Sequence, residues 1–123
     1  MILVDTSVWI DHLHRTEPAL SRLLGDDVVA THDGIVEEIA LGSIARRDAT
    51  LSLLRALIRA PRLRHDELLS LVDRDRLWGR GLSVIDVQLL GAARLARAAL
   101  WTRDERLLAA AADRGVDVFD ESS

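Results

Sequence analysis

Cysteine is absent from the 123-residue chain, which removes disulfide frameworks and thiolate-held zinc and points to a reducing, cytoplasmic setting. Lysine is absent too. All sixteen basic residues are arginine, so chemistry that needs a lysine amine is excluded, while guanidinium groups able to grip phosphate or carboxylate with two prongs are plentiful. Long apolar runs are also missing: the longest uncharged stretches, VQLLGAA and IALGSIA, have seven residues, far short of the ~20 that cross a bilayer. No membrane partner is expected. Asp5 interrupts the apolar start after four residues, so no secretion signal is expected either. The net charge of −4 argues against a polyanion binder that works by bulk charge alone.

What is present is enough for one core. Apolar residues make up 49% of the chain, and this length predicts a single domain over residues 1–123. Met1 to Val4 is an unbroken apolar run, as expected of a strand buried on both faces of a parallel sheet. Short helices are predicted over residues 7–13 and 18–24, with Pro18 at a helix start. VVAT reads as the next strand, followed by helices over 34–46 and 49–58, a short strand at 62–65 and the helix DELLSLVDRDRLW. Ser83, with Asp86 three residues on, opens a long helix to about Ala98. AALWT is then a buried strand, RDERLLAAAADRG a helix and VDVF a last strand. Alternating strands and helices predict an α/β fold, a three-layer α/β/α sandwich around a mainly parallel central sheet.

In such folds the carboxyl ends of the strands face a common crevice. Asp5 lies at one such end, and Asp104, two residues past AALWT, faces the same edge. Asp86 shares its helix face with Leu82, Leu89, Leu90 and Ala93, and an ionised carboxylate drawn toward that face costs free energy unless it is paired or bound to a cation. In EEIALG, helical geometry alone does not separate Glu37 from Glu38. Each acid also has a purely structural reading. Asp5 fits a helix N-cap, Asp86 a capping box with Ser83, and Asp104 a favourable place beside a helix dipole, with Thr102 and Glu105 as the box there. Their convergence on one edge favours a joint role.

The segments MILVDTSVWIDHL, EEIALG, GLSVIDVQLLGAA and LWTRDERLLAAAA, in that order, resemble the PIN-domain ribonucleases, and in particular the VapC-type toxins of bacterial toxin–antitoxin pairs. The likeness spans nearly the whole chain. It rests on an aspartate after the first strand with a hydroxyl residue following (Asp5, then Thr6 and Ser7), a glutamate four residues before a glycine (Glu38 and Gly42), an aspartate early in a long helix (Asp86), and a T-x-D (Thr102-Arg103-Asp104). The glycine spacing selects Glu38 over Glu37. The resemblance implies an endoribonuclease that uses Mg2+, or Mn2+ as a substitute, cuts RNA, forms homodimers and is held inactive by a cognate antitoxin protein. On that basis Asp5, Glu38, Asp86 and Asp104 are the expected catalytic set. Asp5 and Asp86 would be direct metal ligands, Glu38 and Asp104 would bind directly or through water, and Thr6, Ser7 and Thr102 would support them. Hard divalent cations do prefer oxygen donors, and magnesium takes few carboxylates while keeping several waters.

His12, His14, His32 and His65 match none of these positions and are read as surface or packing residues. Trp9, Trp78 and Trp101 are read as core or interface. Arg46, Arg47, Arg55, Arg59, Arg62 and Arg64 are available for phosphate or for the antitoxin. Receiver domains and dehalogenase-type phosphatases also place acids at strand ends, but both use a lysine that this chain lacks. The remaining alternative is a non-catalytic α/β interaction module, or an inactive relative, whose acids are structural.

Overall fold

A computed structural model of the chain describes residues 1–122. Four strands, β1 (Ile2–Val4), β2 (Val29–Thr31), β3 (Ile58–Arg59) and β4 (Ala99–Trp101), form a parallel sheet in the order β3-β2-β1-β4. Helices α1 (Thr6–His14), α2 (Pro18–Gly25), α3 (Asp33–Leu41), α4 (Arg47–Ala56), α5 (His65–Asp75), α6 (Val84–Ala96) and α7 (Glu105–Asp113) flank it, giving the expected three-layer α/β/α sandwich. No helix among the described residues is long and apolar enough to cross a membrane. The central strands are apolar without alternation because helices cover both sheet faces, and Leu3, Val4, Ala30, Leu100 and Trp101 are fully buried.

The register brings the two key strand ends together. Leu3 aligns with Leu100 and Val4 with Trp101, and the Asp5 N–H extends the ladder by donating to the Trp101 carbonyl at 2.9 Å. Asp5 and Thr102 therefore leave the sheet side by side. Proline at the start of α2 and the Ser83–Asp86 capping box of α6 begin helices where the sequence predicts them.

Several boundaries differ from expectation: the helix expected over 49–58 is Arg47–Ala56, so Ile58 falls in β3, and the helix expected to reach Trp78 ends at Asp75. The strand expected at 62–65 lies instead at Ile58–Arg59. Pairing with β2 ends at the Ala60 N–H, which donates to the Thr31 carbonyl at 2.7 Å, just before Pro61. Leu63 cannot join a ladder because its backbone is already engaged: its N–H donates to Gln88 Oε1 at 2.8 Å, and its carbonyl accepts from Gln88 Nε2 at 3.0 Å. Helix α3 stops at Leu41 rather than continuing to Arg46, because the Arg47 guanidinium takes the Ala40 carbonyl with two bonds, at 3.0 and 2.9 Å. The expected last strand is reduced to a single bridge between Leu100 and Val118, as the chain turns there to lay Phe119 against Trp101 with ring centroids 4.6 Å apart.

Gln88 is thus a buried polar residue of α6 that satisfies the loop entering α5. Replacing it by leucine keeps the volume and strands one N–H and one carbonyl, each worth about 1–3 kcal/mol when left unsatisfied. Gln88→Leu is expected to lower unfolding stability by about 2–4 kcal/mol. Urea denaturation checks this as a lower midpoint at an unchanged slope.

Candidate functional site

Asp5 occupies the position before α1, yet its side chain makes no capping bond to that helix. It is 6% exposed, and its Oδ2 accepts from Thr102 Oγ1 at 2.7 Å and from Ser7 Oγ at 2.9 Å. Backbone amides set the direction of both hydroxyls. The Asp104 N–H donates to Thr102 Oγ1 at 3.1 Å, and the Arg103 N–H donates to Ser7 Oγ at 3.0 Å. Each oxygen is thereby made an acceptor from the backbone, and its proton is left for the carboxylate. Among the described residues Asp5 Oδ1 takes no hydrogen bond. A buried acid with one oxygen fully supplied and the other unengaged is arranged for something other than a helix start.

The other three acids are held by bonds of their own. Asp104 is the N-cap of α7, its Oδ1 accepting from the Arg106 and Leu107 amides at 3.0 and 3.1 Å. Thr102 therefore does not act as the cap there. Asp86 completes the capping box: its Oδ2 accepts from the Ser83 N–H at 2.9 Å, and its own N–H donates to Ser83 Oγ at 3.1 Å. Partial burial pushes the Asp86 carboxyl above the usual carboxylate range. The charges of Asp5 and Asp104 push it the same way, against the lowering effect of the Ser83 bonds. Those three carboxylates therefore share one electrostatic neighbourhood.

Glu38 approaches from α3, its Oε1 accepting from Thr6 Oγ1 at 2.7 Å, next in the chain to Asp5. Glu37 turns elsewhere and pairs with Arg62 at 3.2 Å. The structure thus separates two glutamates that helical periodicity could not.

No three His, Asp or Glu side chains among the described residues lie close enough to form a ready metal cage. The reason is visible in the bonds. Like charges repel, and hydroxyls or helix-start amides hold each carboxylate in its own place. A donor set of carboxylate and hydroxyl oxygens, with no thiolate, fits a hard dication that takes one or two protein oxygens and keeps its waters.

Several residues play parts that periodicity did not indicate. His32 is buried and caps α3, its Nδ1 accepting from the Gly34 N–H at 2.9 Å, and burial lowers its pKa. His14 is exposed and its ring bonds the Ile10 carbonyl. Trp9 and Trp101 lie in the core, and Trp78 is 62% exposed. Arg103, the middle residue of the T-x-D, is the hub of an ion-pair cluster. An arginine between two site residues was the available signal for it.

Fold and site together define an α/β protein in which Asp5, Asp86 and Asp104 share one electrostatic neighbourhood where the central parallel strands end. The PIN domain family model matches residues 2–113, and the chain belongs to the PIN-domain family. It is 54% identical over 124 residues to Ribonuclease VapC32 of Mycobacterium tuberculosis strains H37Rv and CDC 1551, with both chains covered completely. Among solved structures it resembles PAE2754 from Pyrobaculum aerophilum, with a TM-score of 0.60 and 20% identity over 89% of this chain and 83% of that one. It also resembles a chain of FitAB bound to an IR36 DNA fragment, with a TM-score of 0.60 and 18% identity over 97% and 94%. These structural likenesses establish the shared fold.

The Asp86 shift carries a pH dependence. A carboxyl with a raised folded-state pKa binds its proton more tightly in the folded protein than in the unfolded one, so it lowers stability at neutral pH and ceases to do so as pH falls through its folded pKa. In EDTA at pH 7, Asp86→Asn, whose amide oxygen still accepts from Ser83, is expected to melt at or above the wild-type temperature. The gap should close on acidification toward pH ~4, near the carboxylate reference value. Thermal melts across that range check it.

Proposed function

We propose that this chain is a divalent-metal-dependent endoribonuclease that hydrolyses RNA phosphodiester bonds, with Mg2+ as its metal and Mn2+ as a working substitute. It acts in the cytoplasm as the toxin of a toxin–antitoxin pair, as a homodimer restrained by a cognate antitoxin, and residues 1–123 form its single nuclease domain. Membership of the PIN-domain family and full-length likeness to a curated ribonuclease of the VapC type support this reading. The observation that carries it at residue level is Asp5: a buried carboxylate at a strand end that caps nothing and is held by two directed hydroxyls.

In this reading Asp5 and Asp86 hold the cation directly, while Glu38 and Asp104 bind it directly or through water. Ser7 and Thr102 keep Asp5 oriented, and Thr6 steadies Glu38. The amides at the start of α7 fix Asp104 through Oδ1, which leaves its other oxygen for the cation or its water. Glu38, exposed at the rim, is placed to orient water against the scissile phosphate. When bound, the cation supplies Lewis acidity, easing deprotonation of the attacking water and offsetting charge on the departing oxygen. With a cation held there, Asp86 would be relieved of the repulsion from Asp5 and Asp104, and the acids would tolerate an anionic substrate.

The caps formed by Asp86 and Asp104 favour a second reading, a non-catalytic interaction module whose acids are structural. Cleavage of RNA in Mn2+ separates the two. Asp5→Asn is expected to lose activity by about a hundredfold or more, within the scale of a removed catalytic group. Thr102→Val is expected to lose about tenfold in Mn2+ affinity, as for other residues that hold a ligand in place. Glu38→Gln is expected to be impaired, whereas Glu37→Gln retains wild-type cleavage. Mn2+ at a hundred times its dissociation constant is expected to stabilise the fold by about 2.7 kcal/mol. Equal cleavage by wild type and Asp5→Asn would remove the catalytic assignment.

A further inference from the structure

Arg103 sits between Thr102 and Asp104 in the turn from β4 to α7. Its backbone N–H donates to Ser7 Oγ, which itself donates to Asp5 Oδ2. A permanently charged guanidinium at that place is a competitor of any cation, because it pairs strongly and two-pronged with carboxylates. The structure turns its side chain elsewhere. Nη1 donates to Asp11 Oδ2 at 2.7 Å and to Glu17 Oε1 at 3.0 Å, and Nε donates to Glu121 Oε1 at 2.7 Å. The guanidinium lies 5.8 Å from the centre of the Trp101 ring, whose Nε1 donates to the same Glu121 oxygen.

Three acids from three parts of the chain, namely α1, the segment before α2 and the C-terminal stretch, thus converge on one arginine. Gathering them costs mutual repulsion, as between Asp11 and Glu17, and the pairs to the exposed Asp11 and Glu121 return little stability of their own. Securing the turn does not require three, because Ser7, Thr102 and the α7 cap already hold it. The excess of negative charge makes the outward position strongly preferred. Bonds to Glu17 first, and then to Asp11 and Glu121, raise the Arg103 pKa, while Arg103 lowers that of Glu17.

We propose that Asp11, Glu17 and Glu121 are positioning residues that sequester the Arg103 guanidinium, so that Asp5, Asp86 and Asp104 keep their charge for a divalent cation. This inference rests on the metal-site reading above. It differs from a merely structural role in one respect: the acids matter to metal affinity only while Arg103 is present to be released.

A double-mutant cycle on the full chain isolates that respect. Mn2+ is titrated calorimetrically into wild type, Asp11→Asn/Glu17→Gln, Arg103→Gln and the combined variant, at fixed ionic strength, with thermal melts confirming the fold. The acid variant is expected to bind Mn2+ about tenfold more weakly than wild type, a coupling within the range seen for contacting charges. The combined variant is expected to bind like Arg103→Gln alone. Equal weakening in both backgrounds would reduce the acids to a through-space charge effect and overturn the proposal, as would an acid variant of unchanged affinity. Should the double acid replacement fail to fold, Glu17→Gln alone carries the same comparison with the same sign. Absence of Mn2+ uptake by the wild type would overturn the metal-site reading, and the sequestering role with it.

Discussion

Every other feature of the crevice is placed relative to one buried carboxylate, that of Asp5, and to the two hydroxyls that hold it. Thr102 and Ser7 each receive a backbone N–H from the turn after β4 and direct their own proton to Asp5 Oδ2. This small relay ties the end of β1 to the end of β4, adjacent strands whose register is set by Leu3 opposite Leu100 and Val4 opposite Trp101. A slip of either strand would move the hydroxyls away and strand a charge in the core, a cost far above that of a lost surface contact. The relay therefore specifies register and site geometry together.

Around that anchor the protein gathers negative charge with no ion pair to Asp5, Asp86 or Asp104 among the described residues. Two of the acids are steadied by helix starts, Asp86 at α6 and Asp104 at α7, where free amides and the helix dipole favour a carboxylate. This support is rigid but incomplete. Burial and the neighbouring charges of Asp5 and Asp104 still push Asp86 toward its protonated form. The raised Asp86 pKa means that its ionised form is held at a cost in stability. Capping leaves room for a second role, because in both carboxylates the capping bonds fall on a single oxygen, Oδ2 of Asp86 and Oδ1 of Asp104.

The fold class was legible because apolar runs without alternation mean strands covered on both faces, and MILV and AALWT are such runs. Where the reading went astray, a distant side chain had intervened. Arg62 to His65 has the look of a short strand, yet Gln88, twenty-five positions away from Leu63, takes both backbone groups of that residue. The helix after Gly34 ends early because Arg47 reaches back to Ala40. Such bonds leave no trace in local periodicity. The pair Glu37 and Glu38 is similar: one turn of helix presents both to mixed surroundings, and only Arg62 on one side and Thr6 on the other tell them apart.

The order of residues alone determined that this is an α/β sandwich, that its acids fall at strand ends and helix starts, and that sulfur and lysine chemistry are excluded. Those properties follow from composition and from patterns that repeat over a few residues. The tertiary structure decided which acids share an electrostatic neighbourhood, which oxygen of each is engaged, and that Arg103 faces Asp11, Glu17 and Glu121 instead of the crevice. These depend on hydrogen bonds and charges between segments remote in the chain. Their geometry exists only after the sheet register has brought the segments together.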